Sequence, residues 1–368
     1  MTQLDVLHVF IIAGGTLAIP ILAFVASFLL WPGILIKIYH WYWRRNLGLH
    51  VSYSYSEGYR FCYSYRGSPT TSPSLLMLHG FSSSKDMWLK VVKFLPKDIH
   101  LVCPDMPGHE GTTRSPSDDL SIDGQVKRIH QFVESIKLNK KPFHLVGTSM
   151  GGQIAGVYAA YYPSDICSLT LVCPAEMASH VHCVHLCTIH RNGSSPMSRA
   201  LFVCLGLKIV PDNDFKKLLR ELDEKQAYDK IPLVPTTTEE MAKMLSLCSY
   251  AQFNMPQQLL QGLIDVRLPN NDFYRKLFLE ITNKKSRYCL HEQMDKIQAP
   301  TQIIWGKQDK ILDVAGADIL AKAIPQSQTV LLENCGHSVV MERPRKTASL
   351  LFDFLSSVSC SDNDKKQD

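Results

Sequence analysis

A serine enclosed by glycines, in the segment Gly147-Thr148-Ser149-Met150-Gly151, limits the folds open to this chain more than any other feature. An apolar run, 143–146, precedes it, and a segment of helical character, 153–162, follows it. Where a strand turns directly into a helix, the backbone is so crowded that only glycine fits beside the turn, and the serine is strained. The pattern therefore predicts a sharp strand-to-helix turn that exposes the Ser149 hydroxyl beside the N–H groups of a helix N-terminus.

A second loop, upstream of this turn, also follows a strand-like run. Residues 74–78 are largely apolar and lead into His79-Gly80-Phe81. Where a serine nucleophile stands at such a turn, an earlier loop supplies one N–H to the oxyanion, and the residue after the serine supplies the other. We assign these two donors to the backbones of Phe81 and Met150. His79 is interpreted as a residue that shapes the loop and not as a base.

The candidate base and acid come later in the chain. Of the 14 histidines, His337 stands out because it follows a strand-like run, 329–332, and a glycine. The candidate acid is Asp309, which closely follows the run 301–305. Asp313 is the alternative, but Asp309 lies nearer the end of the strand, where functional residues of open α/β sheets gather. Asp105 precedes the serine and is interpreted as a loop-capping carboxylate.

Serine, acid and histidine in this order are typical of the α/β-hydrolase fold. The segment 50–66 alternates polar and apolar residues about Ser56-Glu57-Gly58, and it predicts a hairpin at the antiparallel edge of the sheet. Strand-like and helical segments then alternate, which predicts a mostly parallel sheet with helices on both faces. The alternation stops between Pro174 and Pro300, where we expect an inserted helical cap over the site. Its helical segments are 215–222, 239–247, 256–264 and 273–281.

The N-terminal region predicts a transmembrane helix. Residues 9–30 contain no Asp, Glu, Lys or Arg, and about 20 apolar residues are enough to span a bilayer. Lys37, Arg44 and Arg45 follow the apolar stretch, whereas residues 1–8 contain no Lys or Arg. The positive-inside rule then places the rest of the chain in the cytosol. A cleaved signal peptide is disfavoured, because the basic n-region is missing. The following residues resemble an interfacial aromatic belt: Trp31, Tyr39, Trp41, Tyr42 and Trp43.

Composition narrows the remaining possibilities. The net charge of +5 is modest and gives no case for nucleic-acid binding. The 11 cysteines follow no disulfide framework, which suits a reducing compartment; Cys103, Cys173 and Cys335 are expected to be buried. A tract rich in His and Cys, 180–190, has no recognisable ligand spacing. We therefore predict neither a metal site nor a cofactor.

These features divide the chain into segments. We expect a short lumenal or extracellular N-terminus (1–8), a transmembrane anchor (9–30) and an interfacial linker (31–48). The hydrolase core would comprise 49–175 and 300–358, interrupted by the cap, 176–299. The polar tail, 359–368, is predicted to be disordered.

Several longer motifs carry a specific resemblance. They include LMLHGFS (76–82), HLVGTSMGG (144–152), IIWGKQD (303–309) and ENCGHSVVMERPRK (333–346). With the anchor, they make the chain resemble the membrane-anchored monoacylglycerol lipases of the α/β-hydrolase superfamily over nearly its whole length. The departure is about 176–208, which resembles extra sequence in the cap.

The resemblance implies catalytic roles for Ser149, Asp309 and His337, with no cofactor. It implies a lipid substrate, namely monoacylglycerols such as 2-arachidonoylglycerol, with lysophospholipids as a further class. It also implies a single-pass protein of endomembranes (late endosome or lysosome), without indicating protein partners. Two alternatives stay open: an acyl-protein thioesterase with the same three residues, and a catalytically silent membrane-tethered binding protein.

Overall fold

The computed structural model describes residues 3–175, 213–252, 254–283 and 285–364. Within them the core is one sheet of eight strands in the order β1-β2-β4-β3-β5-β6-β7-β8. The strands are β1 (His50–Ser56), β2 (Tyr59–Arg66), β3 (Leu75–Leu78), β4 (Leu101–Pro104), β5 (Phe143–Thr148), β6 (Ile166–Val172), β7 (Thr301–Gly306) and β8 (Ser327–Leu332).

The predicted hairpin is confirmed at the edge of this sheet. Strand β1 pairs antiparallel with β2, and β2 pairs antiparallel with β4, while every later pairing is parallel. The turn places Glu57 and Gly58 at φ values of 49° and 77°, the left-handed conformation that tight hairpins need. Strands β3, β4, β5 and β7 are buried along their whole length, as expected for parallel strands covered on both faces.

Helices flank the sheet and make up most of the described residues between β6 and β7. They are α1 (Gln3–Leu30), α2 (Pro32–Asn46), α3 (Leu89–Val92), α4 (Ile122–Ser135), α5 (Met150–Tyr161), α6 (Asp214–Glu224), α7 (Thr238–Cys248), α8 (Gln257–Arg267), α9 (Asn271–Thr282), α10 (Cys289–Gln293), α11 (Ala315–Ala323), α12 (Val339–Glu342) and α13 (Pro344–Asp364). The four helices expected in the cap are confirmed as α6 to α9. Because the carboxyl ends of parallel strands share one edge of the sheet, the ends of β3, β5, β7 and β8 lie together there.

The N-terminal helix α1 is apolar and extends away from the core. Its segment Ile11–Leu30 spans 20 residues with a mean hydropathy of 2.2, and none of that segment is buried. It is long and apolar enough to cross a membrane. Such a helix is compatible with a single-pass anchor.

Two segments differ from the sequence prediction. The expected linker, 31–48, contains the helix α2, which packs against α8 of the cap. The close approach requires glycine, because a Cβ atom at Gly262 would lie 2.8 Å from the carbonyl oxygen of Pro32. The tail predicted to be disordered from residue 359 is helical to Asp364, since no Pro or Gly follows Pro344 to end α13.

Part of the predicted cap lies outside the described residues. This applies to the extra segment, 176–208, and to the tract rich in His and Cys, 180–190. The last four residues of the tail, 365–368, also lie outside them. The segment boundaries proposed from the sequence therefore stay a prediction.

Candidate active site

The turn between β5 and α5 has the geometry that its glycines indicate. Ser149 has φ and ψ values of 54° and −123°, a conformation that is strained for any residue with a Cβ atom. A Cβ atom at Gly147 would lie 2.1 Å from the Gly151 oxygen, and one at Gly151 would lie 2.4 Å from the His79 oxygen. Neither position can hold a larger residue. The Ser149 N–H donates to the Val172 oxygen at 3.0 Å, which ties the turn to β6.

Three polar side chains from different strand ends meet beside this turn. The Nε2 atom of His337 lies 2.9 Å from the Oγ atom of Ser149. On the other side of the ring, Nδ1 of His337 lies 2.7 Å from Oδ2 of Asp309. The structure thus brings the three residues singled out in the sequence into one continuous hydrogen-bonded chain, with the imidazole in the middle.

The Asp309 carboxylate is fixed and sealed from solvent. Its Oδ1 atom accepts hydrogen bonds from the N–H groups of Ile311 and Leu312 at 2.8 and 2.9 Å, and its side chain has no exposed area. Hydrogen bonds to the charged form stabilise a buried carboxylate. Asp313, the alternative acid, instead accepts from the Ala315 N–H at 2.8 Å at the start of α11.

The loop that carries His337 is held by a glutamate that the sequence analysis did not single out. One carboxylate oxygen of Glu342 accepts from the Gly336 N–H at 2.8 Å, and the other accepts from the Tyr250 N–H at 2.8 Å. Gly336 leaves no space for a side chain, since a Cβ atom there would lie 2.7 Å from the Tyr250 nitrogen. Glu342 therefore joins the histidine loop to the end of α7. Only its spacing of five residues from His337 could have suggested this role.

The loop after β3 lies directly against the serine. A Cβ atom at Gly80 would lie 3.1 Å from the Cβ atom of Ser149, so the loop backbone reaches the turn. The ring of Phe81 packs on the rings of Tyr274 and Phe278 of α9, with centroids 6.0 and 5.5 Å away. In the part of the chain that the structure describes, no backbone hydrogen bond uses the N–H of Phe81 or Met150. Among these residues, both N–H groups therefore lack a backbone acceptor.

His79 shapes this loop, as the sequence indicates. Its Nδ1 atom lies 2.8 Å from the Gly80 oxygen, and its Nε2 atom accepts from the Met106 N–H at 2.9 Å. This pattern requires a neutral ring with the proton on Nδ1. Burial lowers the pKa of His79 to about 3, which keeps the ring in that form.

Asp105 also has a structural environment. It is buried and accepts from the backbone N–H of Lys85 at 2.9 Å and from Nζ of Lys85 at 2.7 Å. It therefore closes a loop beside the site, in agreement with the sequence interpretation, and it does not contact His337.

One group of possible metal ligands overlaps the site. Single ligand atoms of Cys173, Asp309 and His337 all lie within 4.8 Å of one another. The carboxylate, however, already uses Oδ2 for His337 and Oδ1 for two N–H groups. Burial raises the pKa of the Cys173 thiol, which favours the neutral form, and only the thiolate binds metals well. The donor set therefore fits proton transfer better than metal binding.

Two cavities meet at the serine. The larger has a volume of about 770 Å³ and reaches from Ser149 and His337 to the α2 residues Ile36 and Tyr39. The smaller, of about 60 Å³, is apolar and lies between Ser149, Phe278 and Ile281. The hydroxyl therefore opens on a space large enough for a long flexible ligand, with α2 as one of its walls.

Comparison with known proteins agrees with this architecture. A family model described as the alpha/beta hydrolase fold matches residues 73–185 and 246–344. Monoacylglycerol lipase ABHD6 of Mus musculus is 67% identical over 363 residues, which cover 99% of each chain. The protein of the same name in Homo sapiens is 66% identical over 366 residues and 100% of each chain. The chain belongs to the ABHD6 family of α/β-hydrolases.

A solved structure resembles this ABHD6-family protein over nearly its whole fold. The crystal structure of a membrane phospholipase A, a bacterial virulence factor, matches with a TM-score of 0.73 at 26% identity. The match covers 95% of this chain and 98% of that one.

Besides Glu342, two further features of this ABHD6-family site were not predicted from the sequence. One is the position of α2 in the wall of the larger cavity. The other is Arg267 at the end of α8, whose guanidinium binds Ser82, the residue after Phe81. The only local signal for either was the Gly33 and Gly262 pair, which permits close helix packing.

Proposed function

We propose that the protein hydrolyses the ester bond of monoacylglycerols to a free fatty acid and glycerol through an acyl-enzyme. The observation that carries the proposal is the chain of two hydrogen bonds, at 2.9 and 2.7 Å, from Ser149 through His337 to Asp309. The substrate class is inferred from the relatives named monoacylglycerol lipase. Within it, 2-arachidonoylglycerol is a candidate substrate, and lysophospholipids form a second candidate class.

The first step forms the acyl-enzyme. Oγ of Ser149 attacks the ester carbonyl carbon while its proton passes to Nε2 of His337. The negative charge on the carbonyl oxygen is stabilised by the N–H groups of Phe81 and Met150, each worth about 2.7–4 kcal/mol at such a site. When the tetrahedral intermediate collapses, the glycerol oxygen leaves and takes the proton from His337.

The second step releases the fatty acid. A water molecule gives one proton to Nε2 of His337, and its oxygen attacks the acyl carbon. The same two N–H groups stabilise the second oxyanion. Collapse breaks the bond to Ser149, which regains the proton from His337. Asp309 keeps its charge throughout: it accepts the Nδ1 proton, fixes the tautomer and stabilises the imidazolium.

The larger cavity supports a lipid substrate. Its apolar wall includes Leu263, Met244 and Val340, and its volume of about 770 Å³ can enclose a long acyl chain. Because α2 follows α1 after a single residue, the end of the cavity lined by α2 lies next to the apolar helix. We propose that substrate reaches Ser149 from the bilayer along this side.

The proposed location follows from the same region. We propose that α1 spans a membrane once, with the catalytic part in the cytosol because Lys37, Arg44 and Arg45 lie after the apolar segment. Late endosomes or lysosomes are the proposed compartment by family resemblance. A lipid that partitions into the bilayer is concentrated at such a site.

Active-site labelling with a fluorophosphonate, together with fatty-acid release from a monoacylglycerol, tests the proposal. Wild type should be labelled and active, and Ser149→Ala should be neither. Ser349→Ala, an exposed serine on α13, is the matched control and should behave like wild type. Unlabelled wild-type protein would contradict the proposal and favour a tethered binding protein. Faster turnover of an acyl thioester than of monoacylglycerol would favour a thioesterase.

A further inference from the structure

Arg267, the last residue of α8, joins the cap to the loop that supplies Phe81. Its Nη1 atom donates to the carbonyl oxygen of Ser82 at 2.9 Å, and its Nη2 atom donates to the Oγ atom of Ser82 at 2.5 Å. Nη2 also lies 3.2 Å from the Leu233 oxygen. The guanidinium of Arg267 thus donates hydrogen bonds to both the main chain and the side chain of Ser82.

The described part of the chain gives the charge of Arg267 no direct counter-ion. Among the described residues, no carboxylate lies within 4.0 Å of the guanidinium. Within those same residues its Nε atom is shielded from solvent and has no hydrogen-bond partner. Enclosing a charge in this way is unfavourable unless its hydrogen bonds repay the lost hydration. Both terminal nitrogens donate to protein oxygens, and Arg267 also lines the larger cavity, so the guanidinium joins the cavity wall to the loop that carries Ser82.

Ser82 needs such support because its backbone is strained. It is buried and has a φ value of 51°, a left-handed conformation that is unfavourable for residues other than glycine. A conformation of this kind persists only when its surroundings fix it. Ser82 directly follows Phe81, so its conformation determines where the Phe81 backbone lies relative to Ser149.

The loop is consequently held from two sides. From the core, the ring of His79 binds the Gly80 oxygen; from the cap, Arg267 binds Ser82. The cap helix that carries Arg267 is in turn packed on α2, where a Cβ atom at Gly33 would lie 2.9 Å from the Cβ atom of Asp265. Packed contacts therefore run without a break from the membrane-proximal helix to the residue beside Phe81.

We propose that Arg267 is a positioning residue for the oxyanion hole: by fixing Ser82, it holds the Phe81 N–H on the developing oxyanion. The inference rests on the proposed hydrolase function and adds a residue to it. Arg267 touches neither the reacting atoms nor Ser149. Although Arg267 also lines the larger cavity, its substitution should therefore weaken binding of the transition state far more than binding of the ground-state ester.

The matched control is Arg114, another arginine between core and cap. It donates to the Gly108 oxygen and to Oδ1 of Asn270, three residues beyond Arg267, but it does not contact the oxyanion loop. Arg267→Met and Arg114→Met therefore remove similar links between cap and core, and only the first removes support from Ser82.

The test measures kcat and KM for a monoacylglycerol with the full-length protein in detergent micelles. It also measures inhibition by two ligands: an alkyl trifluoromethyl ketone, which forms a tetrahedral oxyanion on serine, and an ether analogue of monoacylglycerol, which cannot. Arg267→Met should lower kcat and kcat/KM alike by about 10- to 100-fold, less than full loss of one donor. Affinity for the ketone should fall by the same factor, while affinity for the ether stays within about two-fold.

Arg267→Lys should recover only part of kcat, because an ammonium cannot bind both Ser82 oxygens in the fork geometry. Should Arg267→Met fail to fold, Ser82→Ala, which removes one of the two acceptors, should still lower kcat and ketone affinity together. Unchanged kcat in Arg267→Met would overturn the inference, as would an equal loss in Arg114→Met or equal losses of ketone and ether affinity. Absence of wild-type labelling would overturn the proposed function as well, whereas wild-type activity with an unaffected Arg267→Met would overturn this inference alone.

Discussion

The Nε2 atom of His337 lies 2.9 Å from the Oγ atom of Ser149, although 188 positions separate the two residues in the chain. The parallel pairings of β5 with β6, β6 with β7 and β7 with β8 bring them together. A shift of one residue in any of these registers would move every side chain of the strand to the other face of the sheet. The site therefore depends on the sheet as a whole.

Asp309→Asn should abolish most activity without unfolding the protein. An amide can donate to Nδ1 of His337, which would place the ring proton on Nε2 and leave no acceptor for the Ser149 proton. We expect kcat for a monoacylglycerol to fall roughly ten-thousand-fold, as in other enzymes with this arrangement. Asp313→Asn is the control and should keep kcat near the wild-type value. Comparable losses in both variants would argue against Asp309 as the partner of His337.

Gly80→Ala should slow acylation. The added methyl would lie 3.1 Å from the Cβ atom of Ser149 and 3.3 Å from the Thr148 oxygen, so the loop must move away from the turn. Partial displacement of the Phe81 donor should reduce the rate of fluorophosphonate labelling by about 10- to 100-fold. Gly15→Ala, where nothing lies within 4 Å, is the control for the same added methyl. A labelling rate equal to that of wild type would show that the loop tolerates the shift.

Acid should destabilise the fold partly through His144. This side chain on β5 is buried, binds Oγ of Ser168 at 2.6 Å, and has its pKa lowered by burial to about 4. The unfolded chain binds a proton below about pH 6.5 while the folded chain does not. The contribution of His144 to the free energy of unfolding is therefore complete above pH 6.5. It is lost as the pH falls towards 4, by about 1.4 kcal/mol per pH unit.

Unfolding measured between pH 6.5 and 5 checks this expectation. The free energy of unfolding should change less steeply with pH in His144→Gln than in wild type. The difference in slope should correspond to the uptake of about one proton on unfolding. His50→Gln, an exposed side chain on β1, should leave the slope unchanged. Equal slopes for all three proteins would mean that His144 does not contribute.

Local patterns were sufficient to predict the turn at Ser149 and the four cap helices. The turn was predictable because its glycines are needed by contacts within a few residues, and Asp309 and His337 were identifiable from their positions after strands. The roles of Glu342, Arg267 and α2 were not predictable. Glu342 and Arg267 act through hydrogen bonds to backbone groups distant in sequence, such as Tyr250 and Ser82, and no periodicity encodes those contacts.

Gly262→Val should disturb the cavity wall formed by α2 more than the chemistry at Ser149. Even a single Cβ atom at this position would lie 2.8 Å from the Pro32 oxygen and 3.3 Å from Cγ1 of Ile36, so α2 must move from α8. We expect kcat/KM for a long-chain monoacylglycerol in vesicles to fall by about ten-fold and that for a short soluble ester to change much less. Gly14→Val, in open space on α1, is the control. Equal losses for both esters would contradict a specific role of α2.

The proposed topology predicts that Asn192 is never glycosylated. Asn192-Gly193-Ser194 is the only acceptor sequence in the chain, and glycans are added only on the lumenal side. Endoglycosidase treatment of protein from animal cells should leave its mobility unchanged. A version with an added N-terminal Asn-X-Thr extension should shift, which provides the positive control. A shift traced to Asn192 in the natural sequence would reverse the orientation.

The dual position of α2 has a practical consequence for biochemical preparations. Ile36 and Tyr39 line the cavity at Ser149 and belong to the helix that begins at Pro32, directly after the apolar segment. A truncated protein that starts near residue 47 would lack the apolar helix and could be chosen for its solubility in water. The same truncation would remove α2 and with it one wall of the larger cavity. Inhibitor potencies measured on this fragment would refer to a cavity that is open where α2 is missing. The order of those potencies should differ from the order measured on the full-length protein in lipid.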